Sequence, residues 1–178
     1  MATGDRAFRL VPYRDTAQRV ATEQSAETYV INAFNSAALG TPRVRSGYLY
    51  DLQEAGATDY SGSNELTFAS GSNKYGFPDV LVLSITVPQN KVFSFYGIAD
   101  YTADPSLQAM QITQQDVAFP LIYLSPDLYT NEDHKVIFNG PLPAIVQGEG
   151  ITINLYGTEA TTDKIDILFK VAERAAKA

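Results

Sequence analysis

Residues 80–98 read VLVLSITVPQNKVFSFYGI. VLVLSITV (80–87) is a nearly continuous apolar run of β-branched residues and leucine, which suits a central strand buried on both faces. Pro88-Gln89-Asn90 then turns the chain, and KVFSFYGI (91–98) alternates. Alternation would put Val92, Ser94, Tyr96 and Ile98 on one face and Phe93, Phe95 and Gly97 on the other. The spacing predicts a hairpin with a three-residue connection.

Working outward, the same rhythm continues to residue 171. ELTFAS (65–70), LQAMQIT (107–113), VAFPLIYL (117–124), HKVIFN (134–139), a short piece within GPLPAIVQGEG (140–150), ITINLYG (151–157) and KIDILFKV (164–171) all read as strands. Pro120 places VAFPLIYL at an edge or a bulge, because proline cannot donate to a ladder. Ile151, Ile153 and Leu155 face inward on one strand, and Ile165, Ile167 and Phe169 share a face on another. Loops are expected over 53–64, 70–79, 99–106, 125–133 and 158–163, where Gly, Ser, Asn and Asp gather. No helical segment is expected beyond residue 40, which argues against a parallel βαβ sheet. Eight to ten strands at this spacing predict an all-β antiparallel sandwich or barrel.

Before the strands the pattern differs. Residues 1–14 hold no sustained period and read as an arm. Residues 15–37 are rich in Ala, Gln and Glu, with Val20, Glu23, Glu27, Val30, Ile31 and Phe34 forming a partial stripe, so a helix is expected there. Leu39-Gly40-Thr41-Pro42 stops it, and Val44–Leu52 reads as a short extended piece. The expected organisation is an arm over 1–43, a β body over 44–171 and a loose polar tail, AERAAKA, over 172–178.

Composition narrows the chemistry. The chain has 178 residues, one histidine (His134), and no cysteine or tryptophan. Disulfides, thiolate catalysis and cysteine-bound zinc are therefore excluded. A single imidazole cannot build the multi-histidine centre of a metalloenzyme on a β-barrel frame. Asp127, Asn131, Glu132, Asp133 and His134 lie close in sequence, but they lack the EF-hand pattern and read as a solvated acidic turn. No G-x-S-x-G elbow positions a serine, and the glycine-rich stretches lack the lysine of a phosphate loop. No catalytic residue, metal ligand or cofactor is assigned. Paired carboxylates remain a formal option for sugar hydrolysis, although twenty acidic residues make coincidental pairs inevitable.

The net charge is −7, so the body does not attract nucleic acid. Residues 1–45 nevertheless carry six arginines against four acidic residues. Arg6, Arg9, Arg14 and Arg19 could meet an acidic neighbour, an anionic lipid surface or packaged nucleic acid, or simply solvate a terminus. Tyr60, Tyr75, Phe77, Tyr101 and Tyr129 fall in loops. They read either as stacking platforms for sugars and anchors for a protein interface or as caps on the ends of the body. No stretch reaches the roughly 20 apolar residues of a membrane span, and the first residues lack the apolar core of a secretory signal.

From VLVLSITVPQNKVFSFYGI through GEGITINLYGTEATTDKIDILFKV, the layout resembles the small single-jelly-roll capsid proteins of tailless icosahedral phages with an internal membrane. The Thermus phages of that group and their haloarchaeal relatives are the comparison. The similarity covers residues 44–171 and rests on strand rhythm, length, the arginine-bearing arm and the absence of cysteine. It implies an eight-stranded jelly roll and a structural virion protein made in the host cytoplasm. Such a subunit assembles with copies of itself and a second capsid protein. Its arm, residues 1–40, folds against a neighbour or faces the internal lipid membrane. It binds no specific nucleic acid and has no catalytic residues. The competing reading is a carbohydrate- or receptor-binding β-sandwich module of spike or lectin type, and an enzyme on a jelly-roll frame stands third.

Overall fold

Ile165, Ile167, Phe169 and Val171 line one side of their strand, and Ile151, Ile153 and Leu155 line one side of theirs; these two rows meet in one core. The computed structural model describes residues 10–12, 16–56, 65–70, 75–103, 105–114, 117–118, 121–123, 135–138, 144–146 and 148–175. In chain order the elements are β1 Leu10–Pro12, α1 Thr16–Ser36, β2 Pro42–Ser46, α2 Leu49–Glu54, β3 Glu65–Thr67, β4 Asp79–Thr86, β5 Lys91–Asp100, β6 Leu107–Gln114, β7 Val117–Ala118, β8 Ile122–Tyr123, β9 Lys135–Phe138, β10 Ile145–Val146, β11 Gly150–Gly157 and β12 Thr162–Arg174.

Every pairing is antiparallel. One sheet runs β1-β9-β5-β12-β2, with β10 also on β5 and β3 also on β12. The other runs β4-β11-β6-β7, with β8 also on β6. The fold is an all-β sandwich of two sheets with α1 layered on the outside of the first. β7 and β8 pair with the two halves of β6 at the sheet margin, consistent with the interruption expected near Pro120.

Several expectations are corrected. β4 and β5 do not form a hairpin: β4 pairs with β11 and β5 with β12, so Pro88–Asn90 carries the chain from one sheet to the other. Asn90 takes the left-handed conformation there, with φ 62°. β4 is not central either; it ends the path of its sheet. A continuous apolar run does not by itself fix a strand's place in its sheet.

The faces of β5 depart from simple alternation. Phe95 pairs with Phe169 and Gly97 with Leu168, so Tyr96 is an extra residue in the ladder. This bulge reverses the phase. Phe93, Phe95 and Ile98 therefore all enter the core between the sheets, whereas Val92 and Tyr96 face the helix layer. β5 is buried on both sides along nearly its whole length. The central strand thus proves to be the alternating segment.

The helix appears where it was expected, but its buried stripe is Thr22, Ala26, Val30 and Phe34, each four residues apart. Val20 is exposed. Spacing of four keeps one side of a helix facing one way for several turns, and the small residues in the first half allow close approach. Val30 and Phe34 pack on Val92 and Ala172; Ala26 packs with Tyr96 and Ile137. Residues 16–36 of the arm therefore pack on the sheet of their own chain. Leu10–Pro12 also belongs to the body, in register with Val136–Phe138.

The chain leaves α1 through Ala38, which adopts φ 55°, while Leu39 N–H donates to the Phe34 carbonyl at 3.4 Å. Glycine is the usual residue in this left-handed position because a Cβ is strained there. Ala38→Gly is expected to raise stability by about 0.5–1 kcal/mol in urea titrations.

Two further corrections concern the margins. The extended piece expected to reach Leu52 ends at Ser46, and a helical turn, α2, follows over Leu49–Glu54. This also corrects the expectations of no helix beyond residue 40 and of a loop starting at 53. The tail is not loose from residue 172: Ala172, Glu173 and Arg174 pair with β2, and Ala172 is fully buried.

Candidate functional site

Two polar clusters occupy opposite ends of the sandwich, and exposed aromatics sit apart from both. The first cluster forms where β2, α2, β5 and β12 converge. Arg45 donates to both oxygens of Asp51, at 2.9 and 2.6 Å, and to both oxygens of Glu173, at 3.0 and 3.2 Å. Arg43 also pairs with Glu173. Lys91 Nζ reaches Asp51 at 3.2 Å and Glu54 at 2.6 Å. The Tyr48 N–H donates to Asp51 Oδ2 at 2.7 Å, closing the first turn of α2. Three cations thus meet three carboxylates.

Asp51 is only 1% exposed. Burial opposes its charge, but hydrogen bonds from Arg45, Tyr48 N–H and Lys91 outweigh that and hold it below the usual carboxylate range. Hydrogen bonds from Arg45 lead in holding Glu173 low too. Arg43 and Arg45 therefore neutralise their own body, although they count toward the positive excess of residues 1–45. Neither Asp51 nor Glu173 stood out in the sequence; Glu173 meets its arginines across more than a hundred residues, and Asp51 meets Lys91 across forty.

The second cluster lies at the other end, between the loop after β5 and the start of β12. Asp100 is fully buried. Its Oδ1 accepts from Thr102 N–H at 3.0 Å, and its carboxyl lies close to that of Asp163. Asp163 accepts from the N–H groups of Ser106 and Leu107, at 2.8 and 3.3 Å, and from the Thr161 hydroxyl at 3.4 Å. Ser106 and Thr161 share a hydroxyl–hydroxyl bond. Asp163 lines a polar hollow of about 200 Å³ with Thr102, Ser106, Thr158, Glu159 and Thr161.

Burial first, and Asp163 second, push the Asp100 carboxyl up to about 8. A group held protonated in the fold but ionised in the unfolded chain contributes stability that is complete below its unfolded value, near pH 4, and lost as pH rises toward its folded value. Asp51 and Glu173 act oppositely: their contribution is present above about pH 4 and lost in acid. Stability measured by urea titration should therefore fall as pH rises from about 5 to about 8, and Asp100→Asn should flatten that slope.

Among the aromatics singled out in the sequence, the structure brings Tyr75 and Phe77 together. Their rings lie 5.4 and 6.3 Å from Tyr156, both edge-on. Gln111 Nε2 donates to the Tyr75 hydroxyl at 3.4 Å, and the Tyr156 hydroxyl donates to Gln111 Oε1 at 3.5 Å. Both rings are half-buried on the body. Tyr101 is exposed, beside the second cluster. Arg19 is half-buried on α1. Arg6, Arg9, Arg14, Tyr60, Tyr129 and His134, with the acidic turn at 127–133, lie outside the described residues.

Sequence reading missed two strongly exposed tyrosines, Tyr48 and Tyr50, at 64% and 68%. Tyr48 caps the short helix that Asp51 anchors and Tyr50 lies in its first turn, and Arg45 sits 5.4 Å over the Tyr48 ring. Val117 and Tyr123 are exposed at the margin of the second sheet. Among the described residues, no group of three or more His, Asp or Glu side chains could hold a metal, and no helix is long and apolar enough to cross a membrane.

No protein-family model matches the chain, and no curated protein matches it with significance.

Proposed function

We propose that this chain is a structural virion protein, a capsid subunit built on a single jelly roll. The observation that carries the reading is the strand order. With β7 and β8 taken as one interrupted run, and β9 and β10 as another, β2-β12-β5-β9/β10 faces β4-β11-β6-β7/β8. The chain crosses between the sheets so that the first and last strands of this order, β2 and β12, are neighbours, as two nested Greek keys require. Fold alone does not assign function. The supporting chemistry is a set of exposed tyrosines on anchored backbone, the residue type that dominates interface energetics. In this reading the subunit contacts copies of itself and a second capsid protein. The basic residues near the N-terminus would meet an acidic partner surface or anionic lipid.

Light scattering and negative-stain microscopy of the full chain test this. Concentration-dependent oligomers are expected, and Tyr48→Ser/Tyr50→Ser should shift them toward smaller species without changing the melting temperature. A monomer at every concentration would overturn the proposal.

A further inference from the structure

The helix α1 is laid on strands of the first sheet, β2, β5, β9, β10 and β12; among the described residues nothing comparable lies over the outside of the second. A solvated surface ordinarily carries charges of both signs. The five strands of the second sheet hold a single charged residue, Asp79 at one corner, whereas β12 alone holds six. Met110, Ile112, Ile151, Ile153 and Leu155 point into the core, so alternation turns Gln111, Thr113, Thr152 and Asn154 outward. Thr113 pairs with Thr152, and Gln111 with Asn154, across one ladder. All four are half-buried. The rings of Tyr75 and Phe77 lie against Tyr156 at one end of this face, and exposed Val117 and Tyr123 stand at its margin.

We propose that the outside face of the second sheet, centred on the Thr113–Thr152 and Gln111–Asn154 pairs, docks a second copy of this chain, which deepens the capsid reading above and rests on it. The chain carries a net charge of −7, so two copies repel wherever their carboxylates meet. A neutral face lets them approach without setting like charges together. Depletion of charge, with tyrosine beside it, is also the composition that marks the core of a protein interface. The size fits a reversible contact. Four strands at ~4.8 Å spacing and eight residues at ~3.3 Å rise give a face of about 500 Å², so a pair of copies buries about 1,000 Å², the lower bound for a specific contact. Such a contact forms at high local concentration and parts on dilution. A shell requires it as well. The exposed Tyr48 and Tyr50 lie at α2, and a single two-fold patch closes a dimer and stops there. Growth beyond the dimer takes a second patch on another side of the subunit.

Sedimentation velocity of the full chain over a concentration series, with Thr152→Glu and Thr152→Gln beside it, tests the surface. Thr152→Glu sets an unpaired carboxylate into each half of the contact and should weaken self-association at least about tenfold, with the melting temperature within about 2 °C of the parent. Thr152→Gln, similar in size and neutral, should keep the association. Because the chain has no cysteine, Thr152→Cys supplies a second readout: modification of its thiol by a maleimide should slow several-fold as protein concentration rises. Unchanged self-association in a folded Thr152→Glu, or a thiol equally reactive at all concentrations while oligomers form, would overturn this face and leave the capsid reading standing. A monomer at every concentration would overturn both. A thiol protected only by added neutral oligosaccharide, on a chain that stays monomeric, would make the face a glycan platform and remove the second copy from it.

Discussion

Asp51→Ala should lower the melting temperature by about 6–12 °C, equivalent to about 3 kcal/mol for a chain of this size. The carboxylate is buried and receives two bonds from Arg45, one from Lys91 and one from the Tyr48 N–H. Its removal leaves Arg45 and Lys91 partly desolvated with reduced compensation. Removing one partner of a buried pair costs far more than the pair contributes net. Arg45 keeps Glu173, and Lys91 keeps Glu54, which places the loss at the lower end of the range for buried pairs. Asp51→Asn retains the shape and loses the charge, so most of the effect should persist. Urea titration with both variants checks this; a loss below about 1 kcal/mol would mean that the cluster behaves as an ordinary surface network.

Gly47→Ala should destabilise by about 3 kcal/mol or abolish folding. A Cβ at Gly47 would stand 1.9 Å from Cε2 of Phe169 and 2.2 Å from its Cζ. No real carbon pair tolerates such distances, so the ring or the β2–α2 connection must move. The ring has little room, because Phe93 and Phe95 hold it with centroids 5.4 and 5.2 Å away. The backbone has little freedom as well, since Gly47 N–H donates to the Phe169 carbonyl at 2.8 Å. Phe169→Leu alone should cost about 1–3 kcal/mol through lost contacts and a partial cavity. The double variant should lose less than the two single losses added, because the smaller side chain vacates the space the methyl needs. Strict additivity would show that the two positions do not compete for one volume.

The sheets were legible where a strand has one face in the core and one outside. Ile151, Ile153 and Leu155, and Ile165, Ile167 and Phe169, alternate strictly, and all lie in the core between the sheets. Partner choice was not legible. Pro88-Gln89-Asn90 fits a hairpin and a crossing between sheets equally well, and only the whole topology selects the crossing. β5 misled because its bulge at Tyr96 changes which face enters the core, and a bulge has no signature in residue type here. α2 was invisible for a different reason. A six-residue helix has little propensity to read, and its first turn is held by Asp51 through a distant Arg45–Glu173 partnership. The two polar clusters share that cause: Asp51, Asp100 and Asp163 resemble any other carboxylates until the fold buries them.

β12 pairs along one edge with β5 and along the other with β2 and β3. Residues 162–174 thus leave the ribosome after every element they bind together. Until then β5 and β2 have exposed edges, and Phe93 and Phe95 lack the ring that wedges against them. Nascent chains therefore cannot acquire the finished sandwich domain-first; they wait, adhesive, for their final seam. Contacts spanning most of the chain also make folding slow relative to helical proteins of equal size. Fusions that stall or shorten translation before residue 174 should accumulate as aggregate, whereas extensions beyond it should be tolerated.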